Sequence, residues 1–216
     1  MREFLVIASV SLVLMTSCIT AAPEIFEGEL GEIKWKLTEG VLTIRGTGEM
    51  PDFNFGTPPW KSRFYEEKIK LEKIVIADGV TSIGKYAFAG LQNLKMIKIA
   101  ESVKKIGYAS FEYSGLDAIK IPATIDAIDD WAFTKASIQV IVFEGPVASM
   151  GKNIFTAYAY VPICCIIEMK CPPFSVRKEF FVDFDKEKSY LYVPQGTKAL
   201  YETAEGWREF KNIIEK

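Results

Sequence analysis

Apolar side chains return to the same places every 22 or 23 residues through the middle of this chain, and that period restricts the fold more than any single residue does. Aligned on their first apolar residue, four units begin at Leu71, Leu94, Leu116 and Ile138. Three residues on stand Ile74, Ile97, Ile119 and Ile141, and five on stand Ile76, Ile99, Ile121 and Phe143. Nine on come Val80, Val103, Ile125 and Val147, and twelve on Ile83, Ile106, Ile128 and Met150. Seventeen on, a phenylalanine stands every time: Phe88, Phe111, Phe133 and Phe155. A unit this short cannot bury its apolar face alone, so copies must stack into a solenoid whose identical columns form ladders.

Within one unit, Leu71-Glu-Lys-Ile-Val-Ile76 ends on the two-residue period of a short strand with one face buried. A turn at Ala77-Asp-Gly79 follows, then Val80 and Ile83, then a second turn at Gly84. A stack of four leaves two raw ends, which need caps to keep exposed edges from pairing with other chains. Upstream, residues 33–37 and 41–45 alternate apolar and polar across Thr38-Glu39-Gly40, which predicts a hairpin. Downstream, Tyr190-Leu-Tyr-Val193 reads as a strand stopped by Pro194. A short helix is expected at 197–204, with Trp207, Phe210, Ile213 and Ile214 closing the core. The repeat register is lost at 156–164, where a loop is expected.

The phrases Val80-Thr-Ser-Ile-Gly-Lys-Tyr-Ala-Phe88 and Ile121-Pro122 resemble the BspA-type leucine-rich repeat of bacterial surface proteins. Trp35 to Pro51 with Pro59-Trp60 resembles the segment that precedes such repeats. Tyr192-Val-Pro-Gln-Gly-Thr-Lys-Ala-Leu-Tyr201 and Glu205-Gly-Trp207 resemble the segment that closes them. The resemblance implies a mainly β, right-handed leucine-rich-repeat solenoid with an N-terminal β-hairpin cap and a C-terminal cap of strand and short helix. The expected division is a signal peptide at 1–17, a linker at 18–27, the N-terminal cap at 28–70, four repeats at 71–155 and the C-terminal cap at 156–216. Departures from the pattern include Ser110 where alanine is usual, Asp129 where glycine is usual and Ile154 where alanine is usual.

The N-terminus is a separate object. Arg2 precedes an apolar run from Phe4 to Met15, the length of an export-signal core and short of the roughly 20 residues a spanning helix needs. Leu14-Met-Thr-Ser-Cys18 resembles a bacterial lipoprotein box, which implies lipidation of Cys18 and a membrane anchor at the N-terminus. The expected place is the cell envelope, as an outer-membrane lipoprotein; cleavage near Ala21 or Ala22 with ordinary secretion is the alternative.

Composition narrows the chemistry. With no histidine, the chain lacks the commonest general base, the usual partner of a nucleophilic Ser or Cys, and imidazole metal ligands. A net charge of −2 gives no electrostatic reason to expect nucleic acid. No catalytic residue, cofactor or metal is predicted. Asp126, Asp129 and Asp130 cluster in the third repeat, where a glycan-active enzyme would need paired carboxylates; solenoid turns explain them more simply. Gly145 to Lys152 has five residues between its glycines rather than the four of a phosphate loop, and Gly151 falls in the repeat column of Gly84 and Gly107. Cys164, Cys165 and Cys171 lack metal-site spacing and are expected to be buried free thiols; a Cys165–Cys171 disulfide, the alternative, needs residues 168–170 to turn back.

Two outward stripes are the candidate binding residues. Lys73, Lys95, Lys98 and Lys120 form a basic ladder suited to an acidic partner, although Glu72 and Asp117 share those columns and simple solvation is the favoured reading. Tyr86, Tyr108 and Trp131 form an aromatic stripe able to stack on sugars or anchor a protein, although packing over the turn, as the family resemblance implies for tyrosine there, is the favoured reading. The expected function is an envelope-anchored, adhesin-like, non-catalytic binding module for a protein or glycan, acting as a monomer. A scaffold component of an envelope assembly is the second reading.

Overall fold

The structure, a computed structural model, describes residues 24–61, 70–156, 163, 165–181 and 183–216. Cys18, Cys164 and nearly all of the expected loop at 156–164 lie outside the described residues. The chain opens on an antiparallel meander of β1 (Ile25–Leu30), β2 (Ile33–Thr38) and β3 (Val41–Gly46). The predicted hairpin is β2–β3. Its two turn residues, Glu39 at φ 48° and Gly40 at φ 74°, are both left-handed, as a two-residue turn between right-twisted strands requires. β1 was not foreseen, and it draws Ile25, Phe26 and Glu27 out of the expected linker and into the sheet. Gly28 is the reason it fits: a Cβ there would lie 2.7 Å from Trp35 Nε1, so the bare glycine makes room for the indole of the opposite strand.

From β3 onward the pairing is parallel, and the chain winds as a right-handed, mainly β solenoid. One side is built from the first strand of each turn: β3, β5 (Lys73–Ile76), β7 (Met96–Lys98), β9 (Ala118–Ile121), β11 (Val140–Phe143), β13 (Ile166–Met169), β14 (Tyr190–Val193) and β15 (Asn212–Glu215). In register, Leu42, Ile74 and Ile97 form one inward column, continued by Ile119, Ile141, Ile167, Leu191 and Ile213, all buried. The second side holds β4 (Gly48–Glu49), β6 (Val80–Ile83), β8 (Lys105–Ile106), β10 (Ala127–Ile128) and β12 (Ser149–Met150), with Ile83, Ile106, Ile128 and Met150 pointing inward.

The third side has no strands, yet it is laddered too. Backbone N–H groups of Tyr86, Phe88 and Gly90 donate to the carbonyls of Tyr108, Ser110 and Glu112 on the next turn. Ala109, Phe111 and Tyr113 donate in the same way to Asp130, Ala132 and Thr134. Every second N–H is therefore satisfied by stacking, which buried backbone demands. This geometry places Tyr86, Ala109, Trp131 and Asn153, one per turn, at positive φ between 52° and 64° except Ala109 at 48°. The glycine column has a packing cause: a Cβ at Gly84 would sit 2.0 Å from the Pro51 carbonyl oxygen, at Gly107 2.6 Å from that of Ile83, and at Gly151 2.3 Å from the Asp130 nitrogen.

The phenylalanine column is the spine of the core. Phe88 and Phe111 are 5.4 Å apart between ring centres, Phe111 and Phe133 5.1 Å, and Phe133 and Phe155 5.2 Å. All four are buried, each contributing about 1.5–3 kcal/mol by removal from water. Trp60 closes the top, stacked 5.7 Å from Phe88 with its indole N–H on the Ala87 carbonyl.

The stack does not stop at residue 155. β13, β14 and β15 extend the ladder of β11 in unbroken parallel register, so the C-terminal segment adds rungs before it caps. The cap is α1 (Lys198–Thr203) and an aromatic cluster around Phe181, which lies 4.9 Å from both Trp207 and Phe210. Trp207 donates to the Phe174 carbonyl at 2.8 Å and Tyr201 to the Cys171 carbonyl at 2.6 Å. Cys165 and Cys171 are buried and not bonded to each other. One core expectation is corrected: Ile213 is buried, but Ile214 is 39% exposed, because a strand residue next to an inward one must face outward.

Candidate functional site

Each first strand sends alternate side chains outward, and these form two columns on an uncovered face. The first runs Lys73, Met96, Ala118, Val140, Ile166 and Tyr190. The second runs Val75, Lys98, Lys120, Val142, Glu168, Tyr192 and Ile214. Met96 is 56% exposed, Ile166 39% and Tyr190 45%; the last two stand on adjacent turns, and Ala118 and Val140 separate them from Met96. The rings of Tyr190 and Tyr192 lie 6.4 Å apart and nearly parallel at 17°, with Lys216 Nζ 5.4 Å from the Tyr192 ring centre.

The face is graded along the stack. Its early turns carry Lys73, Lys98 and Lys120, and its late turns carry Ile166, Tyr190, Tyr192 and Ile214. Lys120 bonds Glu144 at 2.7 Å, which holds its ammonium above the usual lysine range. Glu168 takes charge-assisted bonds from Lys170 and Lys216, and the Lys170 bond in particular holds its carboxyl below the usual range. These charged pairs edge the apolar stripe without covering it.

The predicted basic ladder is not a single ladder. Lys73 stands in the first column, Lys98 and Lys120 share the second, and Lys95 precedes β7 altogether, its N–H on the Glu72 carbonyl. The two-residue strand period sends neighbouring lysines to different columns, and apolar rungs interrupt them. The aromatic stripe also divides. Tyr86 and Trp131 occupy the left-handed column of the third side, while Tyr108 lies one residue earlier in its turn. Tyr86 and Tyr108 still touch edge to face at 5.5 Å, and Phe55, unforeseen because it belongs to no repeat, joins them 5.9 Å from Tyr86. Trp131, 38% exposed, stands on a later turn.

Two of the three clustered aspartates hold turns together. Asp129 bonds Lys105 at 2.8 Å, and Asp130 accepts the Lys152 backbone N–H at 2.6 Å. Asp126 is exposed. Among the described residues no three His, Cys, Asp or Glu side chains are grouped to hold a metal ion, and no helix is long and apolar enough to cross a membrane.

Comparison with known proteins finds similarity in the repeat and in the fold. Residues 61–163 match the family model of the BspA type leucine rich repeat region, in six copies. The fold is similar to the crystal structure of a leucine-rich repeat protein from Eubacterium ventriosum, at 21% identity and a TM-score of 0.51 over 81% of this chain. The pneumococcal vaccine antigen PcpA matches at 19% identity and a TM-score of 0.48 over 68% of this chain. The chain spans 45% and 36% of the lengths of those two proteins. No curated protein matches it.

Proposed function

We propose that this protein is a non-catalytic binding module of the cell envelope, and that its ligand is a protein seated on the strand face. The observation that carries this reading is the exposed Ile166, Tyr190 and Ile214 on the three adjacent late turns, with Met96 further along the same face, which no other described element covers. Tyr and Met are enriched at interface centres, where water is excluded and a polar rim surrounds them. Here Lys98, Lys120 with Glu144, and Glu168 with Lys170 supply that rim. The early lysines favour a partner with acidic residues opposite them, which speeds encounter and fixes orientation.

The test uses the purified full chain as bait on envelope extracts, compared with Ile166→Asp/Tyr190→Asp. Retention of one protein by the wild type and its loss in the variant, with unchanged thermal melting, is the expected result. Equal capture by the wild type and the variant refutes the strand face as the site.

The same proposal places the protein on the membrane through a lipidated Cys18, supported by the Leu14-Met-Thr-Ser-Cys18 sequence. Cys18→Ala is expected to move the protein out of the membrane fraction. The module is proposed to act as a monomer, so sedimentation should return the mass of one chain.

A further inference from the structure

A groove of about 470 Å³ crosses the early turns on the second side of the solenoid, away from the strand face. Its floor is backbone, because Gly84 and Gly107 pack directly on the preceding turn where a side chain would collide. One wall follows strand register: Glu49 on β4 stands opposite Ser82 on β6, which stands opposite Lys105 on β8. The other wall is Asp52, Lys85 and Tyr108, one from each turn, with the Asp52 Oδ1 accepting the Lys85 backbone N–H at 2.7 Å. Asp129 closes the far end through its bond to Lys105. This is the position where the repeat pattern expects glycine, so the departure builds a wall of the groove.

The chemistry of the lining selects among ligands. It mixes acceptors and donors along both walls and is open to solvent, with the Tyr108 ring as its planar surface. That ring belongs to a cluster with Tyr86 and Phe55, and Lys85 Nζ lies 5.3 Å from the centres of both tyrosine rings. Three carboxylates face two ammonium groups, a balance that repels anions such as phosphates and uronates. The carboxylates do not converge as a metal site. Hydroxyl groups, which donate and accept at once, match such a lining, and the apolar face of a pyranose ring matches the tyrosine.

We propose that this groove is a second binding site, separate from the strand face, and that it takes an uncharged oligosaccharide. A sugar ring packs on Tyr108 while neighbouring hydroxyls bond Asp52, Glu49, Ser82 and Lys105. The site performs recognition only.

The purified full chain is titrated with cellotetraose, maltotetraose, tetra-N-acetylchitotetraose and tetragalacturonate, read by calorimetry and saturation-transfer NMR up to about 10 mM, which covers the weak range of single-site affinities. Saturable binding of at least one uncharged tetrasaccharide is expected, stronger than that of tetragalacturonate. Asp52→Asn is expected to weaken it about fivefold to tenfold, as exchange of a charged hydrogen-bond acceptor for a neutral one does. Tyr108→Ala should abolish it, and Tyr108→Phe, which keeps the ring, should retain it and shows that the turn still folds. Ile166→Asp/Tyr190→Asp should leave it unchanged, so failure here and failure of the strand-face reading are separable. The proposal is overturned by no binding of any uncharged sugar, by binding indifferent to Asp52→Asn and Tyr108→Ala, or by preference for tetragalacturonate.

Discussion

Lys105 Nζ lies 2.8 Å from Asp129 Oδ2 one turn further along, and Asp129 stands in the column that Gly84, Gly107 and Gly151 occupy on the other described turns. The bond to Asp129 holds the Lys105 ammonium above the usual lysine range. Both side chains are substantially exposed, at 51% and 34%, so the pair belongs among surface ion pairs whose contribution is about 0–1 kcal/mol and is screened by salt. Asp129→Asn should therefore lower the thermal midpoint only slightly, and the difference should shrink in about 1 M salt, where the Debye length is about 3 Å. A large, salt-independent loss would show that Asp129 has a packing role.

The phenylalanine spine predicts the opposite scale. Phe111 is fully buried and lies between Phe88 and Phe133, nearly parallel to the latter at 7°. Phe111→Ala should cost about 3–5 kcal/mol in denaturant unfolding, and Phe111→Leu distinctly less, because leucine refills most of the cavity. Because each turn contacts only its neighbours, hydrogen exchange should loosen first in the turns flanking Phe111.

Glu112 supplies a pH signature. Burial raises its carboxyl above the usual carboxylate range, and Lys135 pulls it partly back. A carboxyl whose folded pKa is raised costs stability when ionised, and that cost disappears as pH falls below its unfolded value. Glu112→Gln should therefore raise the thermal midpoint at pH 7 and make no difference near pH 3. A gain that grows on acidification would contradict the assignment.

Burial also pushes the Cys171 thiol up, which keeps the reactive thiolate scarce. Labelling of the native protein with Ellman's reagent at pH 8 should be unchanged by Cys171→Ser, while labelling in denaturant should fall by one thiol per chain.

What could be read from the sequence was what the stack repeats. Inward columns such as Phe88, Phe111, Phe133 and Phe155 meet the same neighbours on every turn, so the same constraint acts each time and the period is visible. The strand face obeys no such rule. Lys73, Met96, Val140 and Tyr190 share a column but not a chemistry, and their common outward direction emerges only from the register. Ile214 looked like core because an isoleucine beside Ile213 carries no mark of the face it takes. β1 was hidden by Gly28, a poor strand residue until Trp35 is seen lying over it. Phe55, outside the repeats, had no periodic signal to betray its contact with Tyr86.

The central claim is that the strand face is where a protein partner docks, and site-specific photo-crosslinking in cells that make the protein tests it most directly. A benzoylphenylalanine at Ile166, on the strand face, is compared with one at the exposed Asp126 on the other side of the turn. A discrete protein adduct from position 166 and none from position 126 is the predicted result. Adducts of the same protein from both positions, or from position 126 alone, would contradict it.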